Sequence, residues 1–574
     1  MAYNAHMKFE IIYKRIAQSL LIVGPLASLA ISPLTNYDPI NLIKLLFVVP
    51  LAFFAIALIA SSFKYSITRL DNAFWFSTGL FVLAMISSIL FSGARLTQQI
   101  WGTFGRDTGF VTYFSLLGIL ISTALIQKTD FYHKLMNSIV ITAIPMTAYA
   151  LIQEAERHIP ELGIKDPFGW SEKNVFGTFG NINFLSAFFG LSSIVGTLLL
   201  LEKKLSIGLR ISIALMVFLD MAIILDTGSI QGVMIYAIAM SIAIYLFLRS
   251  KAKLRILRIP YTLVVLFGSV LTLMGLSNKG PLSKFLFAPS IVFRTDYWHA
   301  GWKMTMEHPI VGVGIDSYGE WYRSSRGLIS TIRTGPERVS NTAHNIFLDF
   351  SSGGGFPLLI AYLAINVIAL RAAIRVLKRN TEFVPYFVAL FTTWVAFLVF
   401  SAVSINQIGV GIWGWLITGA LIGYEISTRG ESGLSKNSSN SKRKVSAVLP
   451  PGAGALGFLG AIIGFILAFI PFNADMKYKA ATQIGAMDKI IESTKVFGSS
   501  TYYTEIALDT AIRNNFTAQS DELTRQLIKM EPRSFMGWKA MWAITTTSPE
   551  EKQLAVKKLN ELDPFNPGLK ELTP

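Results

Sequence analysis

Apolar runs close to the ~20 residues that cross a bilayer as a helix recur from residue 16 almost to the end of this 574-residue chain. Thirteen spans are predicted, near 16–32, 40–62, 73–91, 109–126, 136–154, 183–201, 205–226, 229–248, 260–276, 344–376, 383–402, 409–427 and 453–472. Backbone inside lipid must satisfy its own hydrogen bonds, so runs of this length specify an all-α polytopic membrane protein. Charged residues make up 15% of the chain, against ~25% in soluble domains. With 52% hydrophobic residues and a mean hydropathy of +0.50, a water-soluble enzyme is excluded. There is no cysteine, which removes disulfides, thiolate metal sites and cysteine nucleophiles. The first run follows Lys14 and Arg15 and lacks a small-residue cleavage site, so it reads as a retained helix and not a removable signal.

Orientation follows from lysine and arginine, because basic loops stay cytoplasmic. With the N-terminus inside, the cytoplasmic segments hold 24 of the 51 basic residues and the five short external loops hold 5. The formal charge of +16 is then largely topology, and no nucleic-acid partner is implied. The expected location is the cytoplasmic (inner) membrane, multi-pass, among membrane lipids, with the C-terminus outside.

This topology gives a membrane domain over 1–427 with a long external loop at 277–343, and a polar cytoplasmic linker at 428–452. An additional membrane helix at 453–472 then looks like an anchor for an extracytoplasmic helical domain at 473–574. Loops as long as 277–343 usually carry function. Within the tail, Pro532 and Pro564 close two similar segments 32 positions apart. That spacing fits a degenerate tetratricopeptide-like repeat or an unrelated small helical domain. A repeat would offer a docking surface for a protein or glycan partner.

Ionisable side chains within spans are costly and need a reason. Lys44, Glu154, Asp220 and Asp349 fall in the outer half or at the outer end of their spans, where one polar cavity opening outward would account for all four. For Lys44 and Glu154 the expectation is that they simply snorkel to the headgroups. On the same face come three glycine-rich turns, 102–109 (GTFGRDTG), 176–184 (FGTFGNINF) and 226–232 (DTGSIQG), each ahead of a helix start. Backbone amides in such turns can approach an anion closely.

The long loop holds the densest chemistry: residues 294–298 (RTDYW), 307–314 (EHPIVGVG) and 342–345 (TAHN), together with Arg323, Arg326, Arg333 and Arg338. Guanidinium groups grip phosphate oxygens in pairs, so such a cluster beside a lipid-facing cavity suits a pyrophosphate. His344 stands at the membrane edge. His299, Glu307, His308 and Asp316 do not show the spacing that fixes a metal site, and His308 beside Pro309 reads as structural. No metal and no cofactor are expected.

At these residues the chain resembles the O-antigen ligase and polymerase superfamily of bacterial membrane glycosyltransferases. The resemblance rests on residues 294–298, on 308–314 (HPIVGVG), on His344 and Asn345 with Leu348 and 353–356, and upstream on 180–184 (GNINF). It implies a GT-C-type fold and an active site outside the membrane that takes glycan from undecaprenyl diphosphate. It also implies a histidine at His344 as catalytic base or acceptor-orienting group and arginines such as Arg294 on the diphosphate, without a divalent metal. Arg106 and Arg338 are the further donor-site arginines expected here, with Asn345, Asp349, Asp220, Asn181 and Trp298 as supporting or acceptor-side residues. Many members carry a Ser-Arg pair where this chain reads Ser229-Ile230-Gln231. The acceptor could be a lipid core, a growing glycan or a protein, so ligase, polymerase and protein O-oligosaccharyltransferase all remain open. A transporter or lipid-linked glycan flippase is the competing class, but it would show internal repeats and midplane polar groups, which this sequence lacks.

Overall fold

A computed structural model describes residues 2–170, 174–287, 289–429 and 451–572, and no strand occurs among them. Every predicted span coincides with a helix. Eleven helices are long and apolar enough to cross a membrane, and the other two are Ala2–Leu29 and the 17-residue Phe110–Ile126. The linker expected at 428–452 lies almost wholly outside the described residues.

The centre of the bundle is the Ile408–Thr428 helix, buried from Ile408 to Glu425. Its glycine spacing permits this: Gly419 and Gly423 face backbone carbonyls of the Phe110–Ile126 helix that a Cβ would strike. Trp413 is fully buried there, and its indole N–H donates to Ser28 Oγ at 2.9 Å. The Pro451–Ile484 helix, expected as an appended anchor, packs along Leu42–Ser61, with Gly460 and Gly464 against the backbone of Phe53, Val49 and Pro50. Small residues let helices in lipid approach this closely.

Lys44 does not snorkel. It is 0% exposed, and its ammonium donates to the carbonyls of Ser28 (3.2 Å) and Thr178 (3.1 Å). Both bonds pull the glycine-rich 176–180 turn onto the first two helices, because a buried ammonium must find acceptors. Glu154 instead meets Arg157 and His158 on its own helix, at 3.8 and 3.3 Å.

The 309–314 segment explains its own sequence. The Ile346–Arg379 helix breaks at Gly355 (φ 70°, ψ −176°), and the carbonyls around the break are taken up from outside the helix. Val313 N–H donates to Ser352 O (2.7 Å), Gly314 N–H to Gly353 O (3.2 Å), and Ser88 Oγ to the same Gly353 oxygen (2.7 Å). Phe356 N–H in turn donates to Pro309 O (2.8 Å). A Cβ on Gly312 would lie 2.4 Å from the Gly353 backbone, so glycine alone allows the contact. This clasp fixes where the long loop leaves the membrane helix, and therefore where His344 and Asp316 stand.

The long loop is itself largely helical, with Pro289–Glu307, Tyr318–Ser325 and Leu328–Thr334. The tail forms helix pairs, Thr501–Arg513 with Thr517–Met530 and Phe535–Ala543 with Pro549–Leu562, whose starts lie 34 and 32 residues apart.

Candidate active site

A cavity of about 480 Å³ opens where all three glycine-rich turns meet the long loop. Gly105 and Arg106 come from the first turn, Gly180, Asn181 and Asn183 from the second, and Gln231 from the third. Arg294 and His344 come from the long loop. The opposite wall is Tyr37, Asp38 and Asn41 with Asn406 and Gln407.

Arg294 sits half-buried on the Pro289–Glu307 helix, and no carboxylate pairs with it among the described residues. Burial alone presses its basicity down. A guanidinium facing a cavity can grip an anion with two parallel N–H donors. Arg106 differs. It is nearly fully buried, its Nη2 pairs with Asp316 Oδ1 at 2.9 Å, and its Nη1 donates to the carbonyl of Asn341. Its Nε has no partner. Asp316, held at φ 56°, also accepts from Thr103 N–H (2.8 Å) and Thr108 Oγ1 (3.1 Å), so it locks the first turn to the long loop.

His344 adopts φ 52° and stacks on the Tyr297 ring at 5.3 Å. Its backbone N–H donates to Thr342 Oγ1 (3.1 Å), while no protein group bonds its imidazole nitrogens among the described residues. Burial, then the positive charges of Arg294 and Arg106, push its pKa down to about 4. The imidazole is neutral at pH 7 and free to accept a proton.

The remaining expected residues scatter. Asn181 lines the cavity and caps the Ile182–Leu199 helix through Asn183 N–H at 2.8 Å. Asn345 caps the Ile346–Arg379 helix, accepting from Phe347 and Leu348 N–H at 3.0 and 3.2 Å. Asp349 lies behind the cavity, bonding Thr342 and Ala343. Asp220 is fully buried inside the bundle, where it accepts from Thr147 and Ser192. Trp298 lies outside the cavity lining, and exposed Arg338 rests its guanidinium 4.5 Å over Phe293. The one outward cavity expected to collect Lys44, Glu154, Asp220 and Asp349 is therefore lined by none of them.

Sequence reasoning passed over Asp38, Asn41, Asn341, Asn406 and Gln407, and took Asn183 only as part of the 180–184 motif. Their only signal is a polar side chain at a span end, which ordinary helix capping also produces. Gln407 does both, accepting from Val410 N–H (3.1 Å) and donating to Asn41 Oδ1 (3.1 Å). Gln231, 5% exposed with an unpartnered Oε1, stands where the third turn reaches the cavity. The four residues weighed as metal ligands do not assemble: Asp316 is with Arg106, His308 packs edge-on against Trp321, and Glu307 meets Lys303 at 3.9 Å. Among the described residues Glu154, His158 and Asp226 come together, but Arg157 already pairs with Asp226 at 3.2 Å.

Residues 211–363 match the family described as O-antigen ligase. This match, over about a quarter of the chain, supports a place in the O-antigen ligase and polymerase superfamily. The matched stretch takes in Gln231, Arg294, His344 and Asp349, while Arg106 and Asn181 lie upstream of it. No curated protein matches the chain. The match suggests a membrane enzyme of the glycosyltransferase or ligase type, and that family implies a lipid-linked glycan donor and a glycan acceptor.

Proposed function

We propose that this O-antigen ligase relative transfers glycan from undecaprenyl diphosphate to an acceptor hydroxyl at the outer face of the cytoplasmic membrane. The observation that carries the reading is the convergence on one cavity of an unpaired guanidinium, Arg294, and a neutral, unpartnered imidazole, His344. Displacing a diphosphate from an anomeric carbon builds negative charge on the leaving oxygen and requires the acceptor hydroxyl to lose a proton. Arg294 meets the first need with two parallel N–H donors, and Arg106 adds its buried charge. His344 meets the second as general base. Once the diphosphate is bound, its negative charge offsets the two arginines that depress His344, so the base strengthens when it is needed.

The test is to disrupt the gene and identify by mass spectrometry which undecaprenyl-linked glycan accumulates and which acceptor loses its glycan. A bare lipid core identifies a ligase, a single repeat unit a polymerase, and an unmodified protein a protein transferase. Unchanged glycans in every pool, with uptake or export of a solute lost, would overturn the reading in favour of transport. The orientation is tested separately, by a reporter active only outside the cytoplasm: active after Asn473, silent within 436–444.

A further inference from the structure

A second cavity, about 590 Å³, opens between residues 319–339 of the long loop and the tail helices Thr501–Arg513 and Phe535–Ala543. Five carboxyl groups stand on its walls; Glu337 and Asp509 are paired with Lys539 (3.6 Å) and Arg513 (2.7 Å), and Glu320, Glu505 and Glu531 are in no ion pair among the described residues. Glu320 accepts from Gln98 Nε2 at 2.8 Å through Oε1, while its buried Oε2 has no partner. No hydrogen bond or ion pair reaches Glu505 among the described residues. The nearby cations are engaged elsewhere. Arg533 lies 3.6 Å over the Trp321 ring and donates to Glu320 O and Ser324 Oγ, and Lys539 meets Glu337 at 3.6 Å. Burial pushes both Glu320 and Glu505 up to about 7.

These walls select by charge. Arg323, Arg533 and Lys539 stand among five carboxyl groups, so a ligand of either charge meets its own sign on part of the wall. An uncharged ligand rich in hydroxyls meets neither penalty, because carboxyl groups near their pKa both donate and accept hydrogen bonds. Met536 and Ala540, beside the Phe535 ring on which the Arg323 guanidinium rests at 4.0 Å, give an apolar patch against which the C–H side of a sugar ring can pack. A chain of polar contacts links the cavity to the first: Gln98 Nε2 donates to Glu320 and to the carbonyl of Asp316 (3.0 Å), and Asp316 is the partner of Arg106 on the first cavity's wall.

We propose that this second cavity is a saccharide subsite, holding uncharged sugar units of the glycan away from the bond made at His344. The proposal rests on the glycosyl-transfer reading above. The probe is the glycan freed by mild acid from the lipid-linked pool of cells that make the protein, which carries neither lipid nor diphosphate. Its binding to the full-length protein in nanodiscs is measured by saturation-transfer NMR and calorimetry. Wild-type protein should bind it, and the isosteric Glu505→Gln should weaken binding tenfold or more. So should Ala543→Trp, which fills the cavity from an exposed position. Binding should persist in Arg294→Ala. In transfer assays the two cavity variants should lose any preference for longer over shorter lipid-linked glycans. Equal binding by wild type and both variants overturns the proposal, as does displacement of the glycan by a lysine-rich peptide. Failure of the glycosyl-transfer reading looks different: wild-type protein then transfers no lipid-linked glycan of any length.

Discussion

Asp349 accepts the Thr342 hydroxyl on both carboxylate oxygens, at 2.9 and 2.7 Å, and the Ala343 N–H at 2.8 Å. Because Thr342 Oγ1 in turn accepts the His344 N–H at 3.1 Å, this one carboxylate holds the turn that keeps His344 at φ 52°. A non-glycine residue in that region costs energy that its surroundings must supply. Asp349 is a positioning residue on this geometry.

Replacing it should therefore misplace the base without removing it. Asp349→Ala is expected to lower kcat by about 10²-fold, the scale of a small misplacement, with donor KM changed little. Asp349→Asn keeps one acceptor oxygen and should recover part of the loss. A KM effect larger than the kcat effect would instead put Asp349 in contact with substrate.

Arg294 and Arg338 should separate cleanly. Lysine at 294 keeps the charge but loses the two-pronged donor geometry, so Arg294→Lys should raise donor KM and lower kcat/KM about tenfold or more, and Arg294→Ala further. Arg338→Ala, removing a side chain that lies on Phe293 outside the cavity, should change transfer less than about twofold. Comparable losses at both positions would mean that the loop closes differently around donor.

The tail grips the same loop. Asp563, 0% exposed, pairs with Arg326 at 2.6 Å and with Arg323 at 3.1 Å, and Arg326 also donates to the carbonyls of Pro336 and Arg338. Removing one member of a buried ion pair leaves an uncompensated charge and costs about 3–5 kcal/mol. Asp563→Ala should lower the thermal midpoint and make the 323–338 segment susceptible to protease, with transfer reduced through the loop. An unchanged midpoint would show that the tail is not a structural clamp.

The spans, the convergence of the three turns and the cationic side of the cavity were all readable from residue type, because length in lipid and guanidinium chemistry leave few alternatives. The amide side was not. Asn41, Asn406 and Gln407 look like caps, and only packing shows Gln407 reaching Asn41 across the bundle. The intramembrane charges misled for a related reason: sequence marks Asp220 as costly, but the hydroxyls of Thr147 and Ser192 that satisfy it lie on other helices. Likewise no residue of the 308–314 motif lines the cavity. The motif's glycine and backbone pattern is demanded by the helix break at Gly355.

His344 gives the sharpest test. As general base it should be worth on the order of 10²- to 10⁴-fold in rate, so His344→Ala should insert, fold and bind donor, yet lose transfer by that factor. His308→Ala, which removes a ring packed against Trp321, should mainly lower stability. The pH profile adds a signature that a structural histidine would lack. Burial and the charges of Arg294 and Arg106 set the free imidazole at about 4, and only the neutral form accepts a proton. Log kcat/KM, which reports free enzyme, should therefore stay level down to about pH 4 and fall below it. In the donor complex the diphosphate offsets the arginines, imidazolium becomes easier to form, and the acid limb of kcat should lie at higher pH. Arg294→Ala removes one of the charges that disfavour imidazolium, so its kcat/KM limb should also move up. A limb that stays in place in Arg294→Ala, or full transfer by His344→Ala, would remove His344 as the base.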